Sequence, residues 1–121
     1  MLRPGVPEVS ENIRVRSLVG RFLEHSRVFY FANGGKEGED EVYISSADWM
    51  SRNLDRRVEV AVPILDPPIK NFLRDVLLDA YLRDEANARV LRADGTYHRV
   101  THGKDPFDAQ MFFIGMHVPQ V

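Results

Sequence analysis

Apolar positions along the chain recur with a period of two in some stretches and three to four in others, and these periods predict its elements. Ile13 to Val19 alternates as Ile-Arg-Val-Arg-Ser-Leu-Val. As a strand it places Ile13, Val15 and Ser17 on one face and Arg14 and Arg16 on the other. A helix running on through Phe22 competes with that strand. Arg27 to Ala32 is a β-branched and aromatic run with the length and makeup of a strand buried on both faces. Asn33-Gly34-Gly35 turns the chain, a charged tip runs from Lys36 to Glu41, and Val42 to Ser45 returns, so a β-hairpin with a long loop is predicted. Ser46 to Arg52 reads as loop or a short helical turn. Arg57 to Val62 alternates strictly and should face Val58, Val60 and Val62 inward.

The clearest helix spans Pro67 to Arg83. Asp66 is placed to cap it, and proline is tolerated in a first helical turn. Ile69, Phe72, Leu73, Val76, Leu77, Ala80 and Tyr81 form one apolar stripe, with Lys70, Arg74, Asp75, Asp79 and Arg83 outside. Such a helix is a lid on the sheet and needs no chemistry of its own. Ala88 to Arg92 and Thr96 to Thr101 flank Ala93-Asp94-Gly95, a hairpin signal. Pro106 to Met116 reads as a final helix capped by Asp105. Pro4, Gly5 and Pro7 make Met1 to Glu8 a loop, and its abrupt start reads as a cut.

Composition narrows the class. A chain of 121 residues is one domain long, so residues 1–121 are expected to form a single domain. A net charge of −2 argues against a general nucleic-acid binder. There is no apolar run of membrane-spanning length and no signal-peptide pattern, which is consistent with a cytoplasmic home. With no cysteine, disulfides, thiolate nucleophiles and cysteine metal sites are excluded. Thirteen arginines stand against three lysines, and arginine is the residue for bidentate contact with phosphate or carboxylate. A GC-rich genome explains the same bias.

No Walker loop, GxGxxG or HExxH occurs. His98 and His102 are four apart but close a hairpin, so they read as a solvated loop pair, and His117 earns no role. The carboxylates Glu37, Glu39, Asp40 and Glu41 read as a solvated loop tip without the calcium-loop pattern. Trp49 and Met50 read as apolar anchors of their loop rather than a base-stacking platform. Ser-Arg-Asn-Leu-Asp-Arg-Arg, from Ser51, reads as a loop stitched down by ion pairs of Asp48 and Asp55. His25 stands apart. It and Arg27, two residues on, project to one side if extended, and an imidazole beside a guanidinium suits a phosphoanion. Ser46, Asp48 and Asn53 could return beside it. Spacing alone leaves this open against a plainer reading, a partly buried histidine bonded to backbone with arginines in surface ion pairs.

Two long stretches carry a family resemblance. SENIRVRSLVGRFLEHSRVFYFANGG and EVYISSADWMSRNLDRRVEVAVPILDP, followed by ARVLRADGTYHRV, resemble the C-terminal part of type 1 polyphosphate kinase. The resemblance covers nearly the whole chain. It implies an α/β (mixed α+β) class, a phospholipase-D-like domain with a mixed sheet of five to seven strands flanked by helices. It implies membership of an enzyme that reversibly transfers the γ-phosphate of ATP to inorganic polyphosphate through a phosphohistidine. That histidine and the Mg2+ ligands lie in an upstream catalytic domain, outside this chain, which holds no metal site of its own. This chain would supply half of the ATP and polyphosphate site and be inactive alone.

The family histidine of the LEHSR motif, which contacts nucleotide phosphates, matches His25. It is expected to orient phosphate or act as acid or base, without being phosphorylated. Arg27 is the expected phosphate clamp, with Arg14 and Arg16 as weaker ATP- or phosphate-binding candidates. The phospholipase-D signature HxK with a following GSxN is altered here, since Arg27 holds the lysine position and the second motif reads Ser45-Ser46-Ala47-Asp48. Expected partners are ATP or ADP, polyphosphate and the upstream domain, with no nucleic acid and no transmembrane segment. Homo-oligomerisation through the exposed partner face and membrane association remain open. Two other classes stay in play: a non-catalytic phosphoanion-binding or interaction module, and a phospholipase-D-like phosphodiesterase half-domain.

Overall fold

In chain order the elements are β1 (Arg16–Leu18), β2 (Val28–Phe31), a 3-10 turn (Asn33–Gly35), β3 (Glu41–Ser45), α1 (Ser51–Leu54), β4 (Ala61–Pro63), α2 (Pro67–Phe72), a π stretch (Leu73–Leu78), α3 (Asp79–Arg83), β5 (Ala88–Leu91), β6 (Tyr97–Arg99) and α4 (Ala109–Gly115). They come from a computed structural model that describes residues 3–36 and 38–116. The mixed α/β class is as expected, and six strands fall within the expected range among the described residues. Their arrangement differs from one mixed sheet: they form two separate three-stranded sheets, β1-β5-β6 and β2-β3-β4, each antiparallel throughout. The β2–β3 and β5–β6 pairs are hairpins, whose connections are too short for the long crossover of a parallel pair, whereas β3–β4 and β1–β5 are antiparallel across longer connections. The chain clusters into two compact units, Glu24–Asp79 and a discontinuous one of Met1–Leu23 with Ala80–Val121.

In the unit Glu24–Asp79 the β2–β3 hairpin forms as expected, with Val28 opposite Ile44 and Phe31 opposite Glu41. Asn33, Gly34 and Gly35 all take positive φ, which asparagine and glycine tolerate best. Val42, 1% exposed, and Ala47 are the buried apolar residues described in this unit, and the π stretch packs on β2. The expectation that β2 is buried on both faces fails. It is an edge strand of a narrow sheet, so Tyr30 and Phe31 are largely exposed, and Phe31 meets Tyr43 edge-on at 6.0 Å. The expected inward valines fail too, for Val58, Val60 and Val62 are all exposed. Pairing between β3 and β4 stops at Ser45 opposite Ala61, because Ser46 turns away while its amide and hydroxyl take both backbone groups of Val60. No strand reaches Val58.

Asp66 caps the long helix as expected, accepting from the Ile69 amide at 3.0 Å with Pro67 in the first turn. The helix widens into a π stretch at Leu73–Leu78, and its apolar stripe is covered unevenly. Ile69 and Phe72 are exposed, whereas Leu73, Val76 and Leu77 are half-buried. The acidic tip is not simply solvated. Asp40 accepts from Lys70 Nζ and Arg74 Nη1, both at 2.8 Å, and ties the β2–β3 loop to the helix.

In the other unit β1 is shorter than the expected strand, because Ile13 still closes a turn on the Ser10 carbonyl. Asp84 is fully buried and organises the surrounding backbone. Its carboxylate accepts from the amides of Asn87 and Ala109, both at 2.8 Å, and its carbonyl accepts from Arg16 Nη2. The β5–β6 hairpin forms as expected, with Asp94 accepting from the Thr96 amide and hydroxyl in the turn. The last helix is capped by Asp108, not Asp105. The carbonyl of Phe107 is held by the amides of Glu85 and Ala86, so helical geometry starts only at Ala109. Phe113 of α4 packs on Tyr81 at 5.3 Å. Glu37 and His117 lie outside the described residues.

Candidate functional site

The ladder between β2 and β3 runs one pair beyond the strand, since the Ser45 amide donates to the Arg27 carbonyl at 2.9 Å. Strand alternation then puts Arg27 on the same face as Phe29 and Phe31, with Tyr43, Ser45 and Ala61 across from them. Trp49 stacks on Phe29 at 5.6 Å, and beside that stack Phe29, Phe31, Tyr43 and Ala61 line an open cavity of about 410 Å³. His25 precedes the strand in an irregular segment and is exposed. The structure therefore differs from the partly buried histidine that spacing left open.

Arg27 Nε donates to Asp48 Oδ1 at 2.7 Å. This bond holds the Asp48 carboxyl below its ordinary 3.8, against the opposing effect of partial burial. The same bond raises the Arg27 guanidinium above its usual range. Arg27 Nη1 and Nη2 make no hydrogen bond among the described residues, so two donor nitrogens, with two N–H groups each, stay available on a guanidinium whose orientation is fixed. Asn53, 2% exposed on α1, supports the Asp48 charge, while its Oδ1 is buried without a partner. The Ser45-Ser46-Ala47-Asp48 segment is pinned from both sides. Ser45 Oγ accepts from the Ala47 amide at 3.0 Å, and Ser46 Oγ bonds the Glu59 carboxylate and accepts from the Val60 amide.

His25 and Arg27 thus belong to one unit, whereas Arg14 and Arg16 belong to the other. Trp49 and Met50 are not buried anchors. Trp49 is 78% exposed and Met50 half exposed, with the Trp49 ring stacked on Phe29. As expected, an ion pair of Asp48 stitches this segment to the sheet, through Arg27, while Ser51–Leu54 is helix rather than loop. Glu59 was missed from sequence, although the alternation in RVEVAV places it on the face opposite the valines. His98 lies in β6, with its Nε2 3.0 Å from Thr96 Oγ1, and His102 is exposed. Among the described residues no group of three or more His, Cys, Asp or Glu is placed to hold a metal ion. The donor set among the described residues does not fit Mg2+. No helix among the described residues is long and apolar enough to cross a membrane.

Comparison with known proteins gives this geometry a family. Residues 1–110 match the model of polyphosphate kinase C-terminal domain 2. The chain is similar to the polyphosphate kinase of Paraburkholderia phytofirmans, 53% identical over 94% of this chain and 16% of that protein. It is also similar to that of Synechocystis, 59% identical over 79% of this chain and 13% of the relative. Among solved structures, polyphosphate kinase from Porphyromonas gingivalis superposes with a TM-score of 0.79 at 41% identity, covering 91% of this chain and 16% of that one. Fold and relatives together define a mixed α/β domain of a kinase enzyme family. More narrowly, the chain belongs to the polyphosphate kinase C-terminal domain 2 family. It spans about a sixth of the length of the curated relatives it matches.

Proposed function

We propose that residues 1–121 form a single domain, part of a cytoplasmic polyphosphate kinase, that supplies half of an ATP and polyphosphate site. The whole enzyme would transfer the γ-phosphate of ATP reversibly to the end of a polyphosphate chain, through a phosphohistidine upstream of this domain. Magnesium, which would screen the phosphate charges, would be held there as well. The observation that carries the reading is the exposed His25 just ahead of Arg27, a guanidinium oriented by Asp48 with both Nη groups left open. Phosphoryl transfer depends mainly on positioning and charge stabilisation, and these groups can supply both. In this reading Arg27 clamps phosphate oxygens while His25 orients the transferred group or handles its proton. Arg14 and Arg16 are further phosphate contacts.

The test is His25→Ala in the full kinase, with polyphosphate synthesis measured against ATP. Synthesis should fall by about 10²–10⁴-fold, the usual contribution of a positioned acid or base. Near-normal synthesis would sink the role. The isolated 121-residue chain should not turn over ATP, and metal-dependent kinase activity from it would refute the placement of the phosphohistidine.

A further inference from the structure

Arg14 and Arg92 occupy a place where a sheet ordinarily avoids like charges. Arg16 lies opposite Val90, and the Leu91 amide donates to the Val15 carbonyl at 3.0 Å, so the same register brings Arg14 opposite Arg92. Opposed like charges on adjacent strands are destabilising. Neither guanidinium has a hydrogen bond or ion pair among the described residues, and both residues are exposed. Arg16 is next along the same face. Its Nη2 is anchored on the Asp84 carbonyl while its Nε is buried without a partner. All three arginines line one cavity of about 350 Å³, whose apolar walls include Pro4, Ile13 and Val90. Of the carboxylates of the adjoining turns, Asp94 is engaged on Thr96 and Glu11 on the Glu8 amide at 2.6 Å.

We propose that this face of the β1-β5-β6 sheet binds condensed inorganic phosphate, laying successive oxyanions across Arg14, Arg92 and Arg16. An anion there relieves the repulsion between Arg14 and Arg92 and supplies an acceptor for unpaired donors. Cross-strand neighbours stand about 5 Å apart and i, i+2 neighbours about 7 Å, so the three cations span more than one tetrahedral anion. A chain fits them better than single phosphates. Nucleic acid fits less well, because Tyr97 lies opposite Leu91 on the other face of the sheet and offers these arginines no stacking partner. The ligand's identity rests on the polyphosphate reading above, while the cationic site rests on this geometry alone.

The experiment titrates the 121-residue chain with short-chain inorganic polyphosphate, with orthophosphate and with single-stranded RNA at equal phosphate concentration. Binding is followed by the NMR signals of the arginine side-chain N–H groups. Polyphosphate should shift Arg14, Arg16 and Arg92, and the double substitution R14Q/R92Q should weaken binding at least about tenfold, as expected for lost charge-assisted bonds. The backbone spectrum of that variant checks its fold, and R14K/R92K, which keeps the charge, should bind with intermediate strength. Shifts confined to His25 and Arg27, equal affinity for orthophosphate, tighter binding of RNA, or unchanged binding by folded R14Q/R92Q would each overturn the site. Kinase activity of the longer protein is a separate readout. Binding here without that activity supports this site and removes the kinase reading, whereas activity without these shifts removes this site alone.

Discussion

Arg27 serves two anions at once in the proposed site. Its Nε belongs to Asp48, and the planar fork leaves both Nη groups for a ligand without breaking that bond. Lysine would have to present its donors from a single nitrogen, without the planar fork that separates Nε from the two Nη groups. Because the Asp48 carboxyl is held below 3.8, the pair's contribution to stability is fully present above the unfolded value. It is lost as pH falls through the lowered folded value. Asp40 follows the same direction, held down by its hydrogen bonds from Lys70 and Arg74. Acid titration followed by NMR should therefore leave the segments around Asp40 and Asp48 unchanged from pH 8 to 5 and loosen both below about pH 4. Loosening near pH 6 would contradict the assignment. The interest of His25 and Arg27 could be read from their spacing. Their dependence on Asp48 could not, because that bond joins residues 21 apart and only the folded hairpin brings them together.

Among the elements, those defined by local chemistry were legible. The Asp66 cap, the Asn33-Gly34-Gly35 turn and the Asp94-Gly95 hairpin each rest on bonds within a few residues, so propensity and tertiary structure agree. Asp66→Ala should lower stability by about 1 kcal/mol, the usual value of a lost helix cap, measured by urea unfolding. No change would mean the helix is held by packing alone. Strand alternation was the misleading signal. In RVEVAV it shows which residues share a face but not whether anything covers it, so Val58, Val60 and Val62 were expected inward and are exposed. Aromatic content likewise gave β2 correctly as a strand but not as an edge. The cap of the final helix was missed because a contact from Glu85 and Ala86 delays its start.

At the scale of the whole chain, the relatives are about six times longer than this polypeptide, and both sheets leave apolar or cationic faces uncovered. Tryptophan emission comes from one place, because Trp49 is the sole tryptophan. Its indole rests on Phe29 with its remaining surface open, and it follows Asp48 directly in sequence. The protein thus carries its own optical reporter beside the proposed phosphate clamp. Emission should be red-shifted and readily quenched by acrylamide, and a blue-shifted, protected signal would mean that this face is covered in solution. A phosphoanion drawn to Arg27 should alter the intensity. A single emission titration can then follow anion capture at Arg27 without any label.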